Sequence, residues 1–133
     1  MAIIRRGCVA VIRIPRHARC FLLEDSEERI AWFVDRLPSI DMATNVHDAV
    51  EILAQKEYDF VFLDHDLGLL DYAGYCGPEG SGKDVARYLS GRGFIGHNVL
   101  IHSWNSIGAA AMKDILEGAM AIPFGQFEIE FSD

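Results

Sequence analysis

The sequence predicts a three-layer α/β sandwich of the flavodoxin-like kind, built on a five-stranded parallel sheet of order 2-1-3-4-5. Three observations carry this. Short apolar runs alternate with amphipathic segments, strand then helix, four times over, before a last strand. Several of those runs end abruptly in polar residues, as strands do at the ligand-binding edge of an open sheet. The chain has 133 residues, half of them hydrophobic, which suits one domain with a sizeable core.

The elements follow in order. Residues 1–20 carry Arg5, Arg6, Arg13, Arg16 and Arg19 and no acid, in a chain whose net charge is −8. This stretch reads as a basic arm or an extra edge strand, broken at Pro15, with the sheet domain running over 21–133. Phe21 to Leu23 is a short strand ending in Glu24 and Asp25. Asp25 with Glu28 reads as a capping box for a helix whose Ile30, Phe33, Val34 and Leu37 share a face. Ile40 to Ala43 is a weak second strand, and Asn45 caps a helix with Val46, Ala49, Val50 and Leu53 inward. Phe60 to Leu67 is the central strand. A glycine-rich loop, Gly68 to Gly82, leads to a helix started by Ser81 and carrying Val85, Tyr88 and Leu89. Asn98 to Ser103 is the fourth strand. Asn105 or Ser106 caps the next helix, with Ile107, Ala110, Ala111 and Ile115 as its apolar face. Met120 to Phe124 is a fifth strand, and Phe127 to Phe131 alternates as a strand does. A fifth helix is expected to be absent.

Composition excludes several classes. A body this acidic is a poor general nucleic-acid binder, although the basic arm can touch phosphates. No apolar run is long enough to cross a bilayer, and the first twenty residues lack the continuous apolar core of a secretory signal. Cys8, Cys20 and Cys76 are an odd number without a CxxC pair, which fits reduced thiols in the cytoplasm.

The predicted strand order sets three strand ends side by side. They carry Glu24 and Asp25; Asp64, His65 and Asp66; and His102, Ser103, Trp104 and Asn105. Carboxylates that meet without a cation repel one another, so Glu24, Asp25 and Asp64 suit a hard divalent ion, Mg2+ or Mn2+. Asp25 can equally be a helix cap and nothing more. His65 and His102, each of which has a plain surface or core alternative, can divide general base and general acid work about a phosphate. Ser103 can orient a phosphoryl oxygen. Asn105 is an amide donor or a cap, and Trp104 a base-stacking or a packing aromatic. Residues Gly77 to Asp84 nearly fit the phosphate-loop pattern GxxxxGK[ST], but Asp84 stands where the hydroxyl belongs, and a Ser81–Asp84 capping box accounts for them better.

Phe21–Asp25, Phe60–Asp66, Ser81–Leu89 and Leu100–Ser103 together resemble the receiver domain of two-component response regulators. The resemblance implies Mg2+ at Glu24 and Asp25, a phosphoacceptor at Asp64 and a hydroxyl at Ser103. Receivers also carry a lysine before a proline after strand five; here Ile122 precedes Pro123, which removes the phosphoryl group's charge partner. The run from Leu63 to Gly68, with His102 to Asn105, Gly108, Ala109 and Met112, is similar to a divergent branch, the cyclic-phosphate-processing receiver family linked to RNA-end repair. That similarity implies a metal-dependent phosphoesterase acting on phosphate-containing substrates such as cyclic-phosphate RNA ends. It places His65 and His102 in acid–base roles and sets Asp64, Asp25 and Asp66 around the metal. The alternative is a non-enzymatic receiver-like signalling or partner-binding module.

Overall fold

The computed structural model describes residues 2–67 and 80–132. Most of the expected glycine-rich loop, Cys76 and the front of the phosphate-loop-like run lie outside them.

Five parallel strands form the central sheet: β3 (Cys20–Leu23), β4 (Asp41–Ala43), β5 (Phe60–Leu63), β6 (Val99–Ile101) and β7 (Met120–Ala121). Their order is β4-β3-β5-β6-β7, the expected 2-1-3-4-5. The central strands are buried on both sides, which explains why Phe60 to Leu63 is a continuous apolar run rather than an alternating one.

Four α-helices connect the strands among the described residues: α1 (Glu27–Arg36), α2 (Val46–Gln55), α3 (Gly82–Gly91) and α4 (Ser106–Ile115). Their caps are local chemistry read from the sequence. Asn45 accepts from Asp48 N and Asn105 from Gly108 N. Ser81 and Asp84 form a reciprocal capping box. One cap differs from expectation: Ser26, not Asp25, accepts from Arg29 N to start α1. The Glu24 carboxylate is drawn into the same turn, accepting from Asp25 N and Ser26 N.

Alternation along the strands sorts two cores. On one face Phe21, Leu23, Val61, Leu63 and Ile101 pack beneath α2, α3 and α4, against Leu53, Val85, Leu89 and Met112. On the other, Leu22, Phe62 and Leu100 meet Phe33 of α1 and Leu37 just past its end. Two helix faces turn out differently from their hydrophobicity. Val34 is exposed and Trp32 packs instead. In α4 the buried residues are Gly108, Ala109 and Met112, while Ile107 is 84% exposed.

The second core is completed by a small separate sheet. β1 (Ala2–Arg6) and β2 (Val9–Ile14) form an antiparallel hairpin, and β8 (Phe127–Phe131) pairs in parallel with β2. Ala10, Ile12 and Ile14 with Phe127 and Ile129 then close over the α1 side. The chain thus supplies three strands that close the core on the α1 side. Two arginines of the arm are tied to this sheet: Arg6 makes a two-pronged pair with Glu130, and Arg13 lies 3.3 Å from the same carboxylate. Among the described residues no helix is long and apolar enough to cross a membrane.

Candidate functional site at the strand ends

The backbone hands the chain from strand to loop at one edge. Asp64 N donates to Leu23 O, and His102 N to Leu63 O, so the ends of β3, β5 and β6 stay in register past their last ladder pair. The residues just beyond continue the strand alternation. Glu24, Asp64 and His102 follow Leu22, Phe62 and Leu100 onto the α1 face. His65 and Ser103 follow Leu63 and Ile101 onto the α4 face.

On the α1 face three ionisable side chains are buried together. Glu24 and His102 are fully inaccessible, and Asp64 is nearly so. One oxygen of each carboxylate and one ring nitrogen of His102 lie within 4.8 Å of one another. His102 Nε2 is 3.0 Å from Glu24 Oε1. A carboxylate only accepts, so Nε2 carries the hydrogen and donates. The ring stacks against Phe33 of α1 at 5.1 Å. Asp64 Oδ1 accepts from His65 N at 2.9 Å; Asp64 Oδ2 and His102 Nδ1 are buried with no hydrogen-bond partner among the described residues.

The electrostatics follow from that crowding. Burial, then the Glu24 charge, push Asp64 up to about 8. Burial favours a neutral Glu24, but the His102 interaction, the Ser26 backbone donor and Arg29 outweigh it and hold Glu24 below its ordinary value. Burial dominates at His102 and lowers it, so the imidazole is neutral. Arg29, partly exposed, reaches within 3.8 Å of Glu24 and lies over the Phe124 ring.

On the α4 face sits a second group. His65 Nδ1 is 2.7 Å from Asp66 Oδ1, and Asn105 Nδ2 donates to the same oxygen at 3.0 Å. A carboxylate partner places the hydrogen on Nδ1 and leaves Nε2 as the basic nitrogen. Gly108 is the reason the ring fits: a Cβ there would come within 2.5 Å of His65 Cγ. Ser103 is buried, its Oγ accepting from Asn105 N. Trp104 is 57% exposed with its indole N–H on Phe124 O.

Every candidate residue read from the sequence therefore lies at this edge, but in two groups rather than one. The structure brings Glu24, Asp64 and His102 together, and separately His65, Asp66, Asn105 and Ser103. His65 and His102 do not flank a shared space on one face. Asp25, half-buried, does not join the three-residue cluster. Sequence reasoning missed Arg29 and the packing role of Gly108; a glycine in the first turn of a helix, three residues after a capping asparagine, was the available signal for the second.

This topology, with acids closing β3 and β5, defines the receiver class of fold. A solved structure titled "Structure of the Francisella response regulator 1452 receiver domain" superposes with a TM-score of 0.54 at 16% identity, covering 79% of this chain and 84% of that one. No curated protein matches significantly. The family described as "Cyclic-phosphate processing Receiver domain" matches residues 20–118, and the chain belongs to it.

Proposed function

We propose that this domain is a metal-assisted phosphoesterase acting on cyclic phosphates, with the cyclic-phosphate end of an RNA as its substrate class. The observation that carries the reading is the pair of groups at one sheet edge: a buried carboxylate–imidazole cluster beside a carboxylate-held histidine. Family membership points the same way, since its description names cyclic-phosphate processing.

A divalent cation fits the cluster. Among the described residues no donor reaches the buried Asp64 Oδ2, and without a cation Glu24 and Asp64 coexist only by holding a proton between them. Glu24 and Asp64 would hold the ion, which would supply charge neutralisation for the phosphate. His65 takes the acid–base role. Asp66 fixes its tautomer and orientation, so Nε2 can accept a proton from water and return it to the leaving ribose oxygen. Asn105 pins Asp66 from the start of α4. Expecting His102 to share this work gives way to a different role, because its Nε2 is committed to Glu24 and burial keeps it neutral. Ser103 and Trp104 border the same edge as phosphate- and base-contacting groups.

The test is turnover of an oligonucleotide ending in 2′,3′-cyclic phosphate with Mg2+ or Mn2+, beside His65→Ala and Asp64→Ala. Metal-dependent opening that is lost in both variants supports the reading. No opening with any divalent cation, or opening unchanged by His65→Ala, rejects it. The competing reading, a receiver-like signalling module, draws on Asp64 closing β5 as a phosphoacceptor would. It predicts a covalent phosphoryl adduct from a small phosphodonor, seen by intact mass and lost in Asp64→Asn.

A further inference from the structure

We propose that Arg29 of α1 binds the substrate's phosphate through its non-bridging oxygens, and that it makes the site prefer a cyclic-phosphate end over a hydroxyl end. The inference rests on the reading that this strand edge receives a phosphate, but it is read in binding rather than turnover.

The loops at this edge bring no permanent positive charge. Residues 24–26, 44–45, 64–81, 102–105 and 122–126, which follow the five central strands, contain no lysine or arginine. Their only permanent charges are carboxylates, which repel an arriving phosphate. The cation comes from α1 instead. Arg29 lies 3.8 Å from Glu24, and among the described residues no other lysine or arginine pairs with Glu24 or Asp64. Its charge is felt at Glu24, Asp64 and His102 alike.

Glu24 does not use up this arginine. Glu24 Oε1 is taken by His102, and Oε2 accepts from Asp25 N and Ser26 N. At 3.8 Å the guanidinium is outside hydrogen-bond reach of Glu24, and it donates to no other group among the described residues. What carries it is the Phe124 ring, 5.2 Å from Cζ. Its five N–H donors, in the planar fork that matches phosphate oxygens, are therefore unspent, on a side chain that is 26% exposed.

Phe124 ties the guanidinium to the strand ends. Phe124 N donates to His102 O, and Phe124 O accepts from the indole of exposed Trp104. Glu24 follows β3 and Phe124 is bonded to the end of β6, with β5 between those strands. Arg29 thus flanks the edge from the α1 side, as His65 does from the α4 side.

The experiment is fluorescence anisotropy on the full chain with a short labelled RNA ending either in 2′,3′-cyclic phosphate or in free hydroxyls. Chelator is present so that metal-dependent turnover does not consume the probe. Wild type is expected to bind the cyclic-phosphate end about 10-fold more tightly, or better, the scale of a hydrogen bond to a charged group. Arg29→Gln should erase that difference and leave the hydroxyl end's affinity unchanged. Arg29→Lys should restore part of it, since lysine keeps the charge but not the fork. Equal binding of the two ends by wild type, a preference that survives Arg29→Gln, or an equal fall for both ends in that variant overturns the proposal; the last would mark a purely structural arginine. In wild type labelled with 15N-arginine, the Arg29 Nε–H resonance should move with the cyclic-phosphate RNA and stay put with the hydroxyl RNA, which decides the matter even where Arg29→Gln fails to fold. Arg29-dependent binding without turnover rejects the phosphoesterase reading and leaves this inference standing. Turnover at subsaturating RNA that is undiminished in Arg29→Gln rejects this inference and leaves the phosphoesterase reading standing.

Discussion

His102 Nε2 lies 3.0 Å from Glu24 Oε1, and neither side chain has any contact with solvent. The two residues are 78 positions apart, on strands separated by β5. Between them sits the end of β5 and Asp64, a buried carboxyl group facing the Glu24 charge. That relationship makes the strand edge a site of stored electrostatic cost, and several outcomes follow from it.

Asp64 should destabilise the metal-free protein at neutral and alkaline pH. Unfolded, an aspartate titrates near its ordinary 3.8; folded, Asp64 keeps its proton until about 8. Between those values the folded state binds more protons than the unfolded one, so this group's contribution to stability falls as pH rises. Asp64→Asn keeps the acceptor for His65 N and removes the titration. In chelator-treated protein it should raise the melting temperature at pH 8, by about 4 °C for each kcal/mol relieved, with the gain vanishing near pH 4. Calorimetry across pH checks this. A gain that is the same at pH 4 and pH 8 would contradict it.

Gly108→Ala should dislodge His65. The new methyl group meets the ring at Cγ, Cδ2 and Nδ1, and the ring is anchored by Asp66 and cannot swing freely. The cost should be about 1–3 kcal/mol, read from denaturant unfolding. The His65 ring resonances should change while those of His102 stay put, because the two rings lie on opposite sheet faces.

How far the site was legible in the sequence turns on these same positions. The gathering of acids, histidines and amide at three strand ends followed from strand order alone, and strand order followed from the strand–helix alternation. The division into two groups was present too, as the alternation that carries Phe62 to Asp64 and Leu63 to His65. It was obscured because strand ends are assumed to fray, and here backbone bonds such as His102 N to Leu63 O keep the register. The buried face of α4 was misread for another reason. Hydrophobicity favours Ile107 over Gly108, yet close approach to an imidazole demands the residue without a side chain. The hairpin was harder still: β2 pairs with β8, more than a hundred residues away, and no local pattern reports such a pairing.

The hairpin should accordingly be part of the folding unit rather than a dispensable arm. Ile12 is fully buried in the core it shares with Leu22, Phe33 and Phe62. Ile12→Ala should cost about 2–5 kcal/mol in chemical denaturation, with a single cooperative transition. Loss of less than about 0.5 kcal/mol, the range of ordinary surface changes, would show that the arm is peripheral.

Cys20 should be inert to alkylation. Burial first, and the nearby Asp59 charge second, push its thiol up to about 12, so almost no thiolate exists at pH 7.5. In a Cys76→Ser background, native protein should take up one equivalent of iodoacetamide, at exposed Cys8, and a second only after unfolding. Peptide mapping reads both.

The central claim is that the edge formed by Glu24, Asp64, His65 and His102 performs metal-assisted phosphate chemistry, with His65 held by Asp66 as its acid–base group. The most direct measurement is the single-turnover rate of cyclic-phosphate opening on a short RNA, with saturating divalent metal, for wild type and Asp66→Asn. The account predicts metal-dependent opening in the wild type and a fall of about 10²-fold or more in the variant, the scale on which positioned acid–base groups contribute. Equal rates in the two proteins, or opening that persists in full after metal removal, would contradict it.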